Sequence, residues 1–570
     1  LKTLLVALNS SFIHSSLAVR YLSSYCKSEF EIEILEATVN AHQEDLLGKI
    51  YLQKADLVAF SCYIWNIELV LKIAQDLKKV APATKILLGG PEVSFDGEET
   101  LAQHEYIDYI ITGEGEKSFY TLLHALKKGE NYHRLMQVGG LVWRNKGRIL
   151  SNPVGEALEL SSLSAPYYGD LKYLENKIVY FEASRGCPFN CSYCLSSATT
   201  GVRFFSMEKV KEQLGLLIAA RVKQVKFVDR TFNANKEFAM EVWRFLVDNA
   251  EGDINFHFEI SADLLDQESI EFLKGIPKGL FQFEIGVQST NKDTLGEINR
   301  GVKFDKLTES VKRLREQRNI HLHLDLIAGL PEENYESFAQ SFNDVIALKP
   351  DMLQQGFLKM LKGSAIRENA KEYSYKFKQY PPYEVLSNRD MSYEELLNLH
   401  RIEEVLVKYY NSRLFEYSLE HLMFYREYWD SPFEFFQGLA QYWLDKGHFD
   451  RGIKQGNLYE ILLAYCEANN IKDMGFKELL KLDFLLSQRV KQLPHWCEQI
   501  SLVGLKEKIN KIKKEHQLLA SQDVQFQVFS SEIVPILTKK DRKGKWVIVK
   551  LDYREKVISG KASWEIIEYL

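Results

Sequence analysis

Three cysteines fall within eight residues, in Arg185-Gly186-Cys187-Pro188-Phe189-Asn190-Cys191-Ser192-Tyr193-Cys194. Thiolates at this density select soft metals and iron–sulfur clusters. A short loop can wrap three such ligands around one corner of a cubane cluster, and Gly186 and Pro188 suit its non-repetitive path. Three cysteines rather than four leave one metal without a protein ligand, open to an exogenous molecule. A zinc knuckle with a distant fourth ligand is the competing reading of the same residues. The remaining cysteines, Cys26, Cys62, Cys466 and Cys497, are scattered, and a total of seven makes no disulfide framework.

The thiol loop follows an apolar run at 178–183. Further strand-like runs lie at 224–228, 255–260, 281–287, 321–327 and 352–358, separated by helical patterns at 207–220, 236–249, 304–317 and 335–347. Six parallel strands of this kind predict a partial (β/α)6 barrel whose working residues sit at the strand C-termini. Upstream, runs at 3–8, 31–35, 56–60, 85–88 and 108–112 alternate with helical segments at 15–26, 67–79 and 116–128. That alternation predicts an α/β, flavodoxin-like (Rossmann-type) parallel sheet, with its ligand beyond the strand C-termini. Residues 131–172 read as a connector holding a hairpin, 139–143 against 148–151. From about 376 the pattern becomes mainly α-helical, except for strand-like 524–529 and 546–551. The expected domains are therefore 1–135, a linker 136–172, the barrel at 173–375 and a helical domain at 376–570.

The spacing CxxxCxxC, with aromatic Tyr193 before the last cysteine, resembles the signature of the radical S-adenosylmethionine (SAM) superfamily. The resemblance implies that Cys187, Cys191 and Cys194 hold a 4Fe–4S cluster. It implies that SAM chelates the fourth iron and is reductively cleaved to a 5′-deoxyadenosyl radical, with Tyr193 near the adenine. Downstream, Glu259, Gln288 in Gly286-Val287-Gln288-Ser289, Arg300, and Asp325 in Asp325-Leu326-Ile327-Ala328-Gly329-Leu330-Pro331 form an ordered series. It is similar to the SAM-contacting series of the branch containing oxygen-independent coproporphyrinogen oxidases. A cationic, zwitterionic ligand needs carboxylates and amides near its amine and ribose and a guanidinium near its carboxylate. One departure stands out: no Gly-Gly-Glu follows the second barrel strand, where the chain reads Val228-Asp229-Arg230-Thr231-Phe232-Asn233.

In the first domain, Ser61, the pair Gly89-Gly90 and Thr112-Gly113-Glu114-Gly115-Glu116 resemble the cobalamin-binding domain found upstream of many radical SAM enzymes. There a serine after the third strand and a glycine pair after the fourth accommodate the nucleotide tail, and glycine lets backbone approach a ligand closely. Domains that ligate cobalt through histidine carry Asp-x-His-x-x-Gly after strand one. This chain has His14 in that loop without the Asp or Gly. Either no histidine ligand to cobalt or no cobalamin at all is therefore expected, and His14 is expected to line the cleft between domains. Methylthiotransferases place three cysteines in this domain, whereas only Cys26 and Cys62 occur here.

The implied activity is that of an iron–sulfur radical SAM enzyme, cobalamin-dependent and transferring methyl to an unactivated centre. The alternatives are a cobalamin-independent radical SAM oxidoreductase and an iron–sulfur RNA-binding or regulatory protein. The implied partners are a substrate the sequence does not identify and an electron donor such as flavodoxin or ferredoxin. Composition sets the outer limits. The 570 residues are 46% hydrophobic and 26% charged, which excludes disorder and collagen-like architecture. No apolar run is long enough to span a membrane. Residues 1–9 read as a buried strand rather than a secretory signal, pointing to the cytoplasm. The net charge of −6 argues against a nucleic-acid binder, although 501–560 carry 13 basic against 7 acidic residues. Basic stretches at 506–514 and 539–545 are expected to be solvated surface. The 13 aromatics within 409–443 are expected to be core.

Overall fold

The computed structural model describes residues 1–195, 201–425, 428–497, 507, 511, 523–538, 541, 544–554 and 561–569. These form two units: Leu1–Phe338 with Gln355–Tyr393, and Ala339–Gln354 with Glu394–Leu570. The basic stretches at 506–514 and 539–545 lie for the most part outside the described residues.

The first unit opens with strands β1 (Lys2–Asn9), β2 (Glu31–Thr38), β3 (Leu57–Ser61), β4 (Lys85–Gly89) and β5 (Tyr109–Ile111). Helices α1 (Leu17–Cys26), α2 (Gln43–Leu52), α3 (Ile67–Val80), α4 (Gly97–Gln103) and α5 (Glu116–Lys127) alternate with them. β1 is buried from Thr3 to Leu8 because a central parallel strand is covered on both faces. On α3, Ile67, Val70, Ile73, Ala74 and Leu77 make the apolar stripe that docks on the sheet. β1 pairs in parallel with both β2 and β3, so the strand order 2-1-3-4-5 places a topological switch point beside β1.

Asn66 fixes that switch point. Its buried side chain accepts from Tyr63 N at 2.8 Å and donates to Leu8 O at 3.0 Å and Ser61 O at 2.9 Å. The hairpin β6 (Leu141–Asn145) and β7 (Arg148–Ser151) is no free connector: β6 pairs antiparallel with β5 and extends the sheet to seven strands. Leu141, Val142 and Trp143 are buried there, which is why the edge is worth covering.

The second sheet has six strands: β8 (Ile178–Phe181), β11 (Gln224–Phe227), β12 (Asn255–Ile260), β13 (Phe281–Gln288), β14 (His321–Ala328) and β15 (Met352–Phe357), with order β15-β14-β13-β12-β11-β8. The intervening hairpin is β9 (Ser184–Cys187) against β10 (Gly201–Phe204). Alternate residues divide the faces. Phe258 and Phe283 pack with Trp243 of the helix Lys236–Asn249 and with each other, and Phe227 stacks on Phe258. The residues between them, Lys226, His257, Glu259 and Glu284, turn to the opposite, lumenal side.

In the second unit, helices Pro432–Asp445, Gln455–Ala468 and Met474–Ser487 bury Tyr409, Phe415, Phe435, Phe436 and Trp443. Strands Val524–Ser530 and Trp546–Asp552 are joined by a third, Ser563–Tyr569, that the pattern did not announce. Its adjacent Ile566 and Ile567 break the two-residue period, and the pairing slips there by one residue.

Replacing Asn66 by Ala would leave buried backbone groups of β1, β3 and the following turn without partners. Urea unfolding of the cofactor-free chain should show the transition of this unit weakened by about 2–4 kcal/mol. A loss under about 1 kcal/mol would contradict the role given to this side chain.

Candidate functional site

β8 ends at Phe181, and the chain turns through Glu182 and Ala183 into β9, which carries Cys187 at its end. Buried Asp229 holds this turn, accepting from Ala183 N at 3.0 Å and Ser184 Oγ at 2.5 Å, and burial raises its carboxyl to about 6. Gly186 has φ +103°, and a Cβ there would lie 2.1 Å from Gly201 O, so only glycine closes this hairpin. Cys187 and Cys191 are buried and Cys194 half-buried. Ser192 ties the loop down, its N donating to Ile298 O and its O accepting from Ile366 N, both at 3.0 Å.

Cys191 Sγ stands 3.7 Å from Arg300 Nη1, and Cys187 Sγ 3.7 Å from Thr231 Oγ1. Tyr193 is within electrostatic reach of Arg300, Cys191 and Cys194. Arg300 Nη2 donates to Gly286 O at 2.5 Å. At Gly286 a Cβ would meet Gln288 Nε2 at 2.2 Å, so glycine there lets the glutamine fold over the strand end. Gln288 itself has φ +73°, a strained value for a side-chain-bearing residue and one that recurs at ligand sites. Two buried polar atoms in this group have no partner among the described residues, Gln288 Oε1 and Arg300 Nε. Among the described residues no three His, Cys, Asp or Glu side chains are already gathered around a metal position.

Glu259 and Asp325 stand on strands either side of Glu284. Burial, with the neighbouring Glu284 charge, raises the Glu259 carboxyl to about 7. Burial also raises Asp325, whose Oδ1 is 3.0 Å from His323 Nε2. Glu284 behaves oppositely. Burial works against its charge, but the hydrogen bond from His257 and the Lys226 ammonium, both at 3.0 Å, hold it down at about 2. The expected residues thus fall into a thiol–Tyr193–Arg300–Gln288 group and a Glu259–Asp325 pair set on a charged lumen. The sequence reading missed Lys226, His257 and Glu284, although His321-Leu322-His323-Leu324-Asp325-Leu326 displays the same two-residue alternation of polar and apolar groups.

Ser61, Gly89 and Gly90 lie at the ends of β3 and β4, lining a cavity of about 620 Å³ at the switch point. Gly90 has φ +114°, and a Cβ would lie 2.5 Å from Cys62 O. His14 also lines the cavity, with Nδ1 2.8 Å from Tyr180 OH. Arg230, which occupies the departure noted in the second-strand motif, is exposed and lines the same space, and Arg185 and Gly186 beside the thiols line it too.

Residues 181–345 match the Radical SAM superfamily and residues 3–123 the B12 binding domain. Residues 371–541 match a protein of unknown function, DUF4080. The matched domains mark an enzyme of the iron–sulfur, SAM-dependent class. The chain thus carries a radical SAM domain, with a B12-binding domain ahead of it and the DUF4080 region behind it.

Similar proteins include the "Uncharacterized methyltransferase PH0819" of Pyrococcus horikoshii, 27% identical over 335 residues, 56% of this chain and 70% of the relative. The cobalamin-dependent radical SAM methyltransferase TokK of Streptomyces tokunonensis is 26% identical over 309 residues, 51% of this chain and 45% of TokK. The chain thus spans less than half the length of TokK. In fold it is similar to OxsB with aqua-cobalamin and SAM bound, at TM-score 0.59 and 15% identity over 95% of this chain and 83% of that one. It is similar also to TsrM from Kitasatospora setae, at TM-score 0.55 and 17% identity over 67% of this chain and 79% of that one.

The cofactors that accompany these domains are a 4Fe–4S cluster, SAM and cobalamin. The residues present fit them: soft thiols for iron, Gln288 Oε1 and Arg300 Nε, unpartnered among the described residues, for a polar ligand, and a cavity wall at Gly90 where a Cβ would collide with the Cys62 carbonyl. Among the described residues no helix is long and apolar enough to cross a membrane.

The raised Glu259 carboxyl carries a sign. Between its ordinary value of 4.5 and about 7 the folded chain keeps a proton that the unfolded chain has released, so stability falls as pH rises through that window. Glu259→Gln removes this cost. The cofactor-free variant should melt above the wild type at pH 8, with the difference vanishing below about pH 4.5. Equal gains at both pH values would contradict it.

Proposed function

We propose that this chain is a cobalamin-dependent radical SAM methyltransferase acting on an unactivated carbon or phosphorus centre of its substrate. One observation carries the reading: the cavity at the switch point of the B12-binding sheet is lined also by Arg185 and Gly186, the residues that lead into Cys187. A corrin in that cavity and a cluster on the thiols would share one site. When bound, these groups supply one-electron cleavage of SAM and a carrier for a methyl group.

The chain's own part is placement. Cys187, Cys191 and Cys194 would hold the cluster, while Arg300, Gln288, Glu259, Asp325 and Tyr193 would orient SAM. Arg300 suits a carboxylate, Glu259 and Asp325 an amine or ribose hydroxyls. Ser61, Gly89 and Gly90 would admit the nucleotide tail, with glycine leaving room at the strand ends. The domain division drawn at 135, 172 and 375 belongs to the same proposal. So do a cytoplasmic setting and a flavodoxin or ferredoxin as the one-electron donor. The relatives named as methyltransferases, PH0819 and TokK, support methyl transfer over a corrin-free oxidoreductase.

Anaerobic purification with added hydroxocobalamin, followed by iron, sulfide and corrin analysis, tests this reading. Wild type should hold about four irons per chain, the content of one such cluster, together with corrin. It should cleave SAM under dithionite. Cys191→Ala should lose the iron, and iron retained there would overturn the cluster assignment. Gly90→Val should keep iron but lose corrin, because its Cβ would collide with the Cys62 carbonyl. Undiminished corrin in that variant would overturn the cradle.

A further inference from the structure

Arg185 precedes the first thiol, Cys187, by two residues. Its guanidinium is largely buried and meets three glutamates. Nε lies 3.0 Å from Glu182 Oε2, Nη2 2.6 Å from Glu116 Oε1, and Nη1 3.2 Å from Glu114 Oε2. Glu182 belongs to the end of the first barrel strand. Glu114 and Glu116 come from the loop that follows β5 and starts α5 of the B12-binding sheet. Tyr21 of α1 places its ring 5.4 Å from the same guanidinium.

A second arginine closes the arrangement. Arg203 on β10 sits directly opposite Arg185 on β9, a like-charge cross-strand pair that would destabilise the hairpin if left alone. Glu114 bonds both, and Arg203 Nη1 also reaches Leu158 O at 2.8 Å. Both strands that flank the thiol loop are therefore gripped by one acidic loop of the other domain. Glu114, Glu116, Glu182, Arg185 and Gly186 all line the 620 Å³ cavity, so the ion cluster is at once the wall of the cavity and the root of the thiol loop. Burial raises the Glu182 carboxyl to about 7, opposed by Arg185.

We propose that Arg185 is a positioning residue that couples the two halves of the site: through Glu114, Glu116 and Glu182 it makes the placement of the thiol loop depend on what fills the cavity. This rests on the reading that the cavity takes a corrin and the thiols a cluster. A buried guanidinium held by three carboxylates has no cheap alternative position, because breaking any contact strands a charge away from water. A displacement of the 113–116 loop by a cavity ligand must then be felt at Cys187. Lysine can keep the charge but not the fork that reaches several carboxylates at once.

Hydrogen exchange on the full cofactor-free chain tests the latch itself. Arg185→Gln and Glu116→Gln should each speed exchange about tenfold in both 113–119 and 184–194, since the two segments share one opening. Arg185→Lys, which keeps the charge without the fork, should recover only part of the protection, and in both segments together. Faster exchange confined to one segment would overturn the shared latch. Hydroxocobalamin, added to the same samples, tests the coupling: in wild type it should protect both segments, in Arg185→Gln only 113–119. After iron and sulfide reconstitution, the reduced-cluster electron paramagnetic resonance signal should shift on adding hydroxocobalamin in wild type and in Arg185→Lys. In Arg185→Gln the signal should be present but unresponsive. A response equal to wild type in Arg185→Gln would overturn the proposal. Failure of the chain to bind hydroxocobalamin would sink the cofactor reading and the coupling with it, while the cofactor-free exchange still decides the latch.

Discussion

A guanidinium taken out of water is tolerated only against carboxylates fixed at bonding distance, and Arg185 has three of them drawn from two parallel sheets. That requirement orders much of the first unit. It sets the loop after β5 against the root of the thiol loop, and it makes the cavity wall and the cysteine hairpin one piece of structure. On the far side of the same domain pair a second group does similar work. Lys362 bonds Asp96 at 2.7 Å and Glu92 at 3.2 Å, and Tyr383 donates to the same Glu92. The loop after Gly89-Gly90 is thereby held by the chain that follows β15.

The lumen of the six-stranded sheet obeys the same rule at smaller scale. Glu284 has Lys226 and His257 beside it, each at 3.0 Å, and His323 faces Asp325. Glu259 and Asp325 are left as carboxyls whose charge burial disfavours. A set of paired charges beside two such acids is an environment that welcomes a cationic ligand, as a sulfonium or an ammonium would be. The apolar face of the same strands, sealed by Phe227, Phe258, Phe283 and Trp243, supplies the rigidity that holds those charges in register.

What the sequence made legible was local. The thiol spacing, the glycine pair at 89–90 and the ordered Glu259, Gln288, Arg300 and Asp325 series are each read within a few residues, and the alternating elements of both α/β domains are fixed by hydrophobic period. What stayed hidden depended on distant partners. Arg185 and Glu116 are separated by 69 positions, and no periodicity links them. The hairpin at 141–151 carries a clear turn, but local pattern cannot say which edge it joins. The strand Ser563–Tyr569 was masked by its bulge. Asp229, which stands near the missing acidic motif of the second strand, proves to be spent on the turn before the thiols, while Arg230 faces the cavity.

A cluster on the thiols and a corrin in the cavity, as proposed, would occupy one site in this chain. The most direct measurement is the spin relaxation of cob(II)alamin bound to the anaerobically reconstituted protein, with the cluster oxidised and then reduced. A shared site predicts a corrin signal whose relaxation quickens on cluster reduction, and a Cys191→Ala sample in which that change is absent. A corrin signal indifferent to the state of the iron would contradict the account.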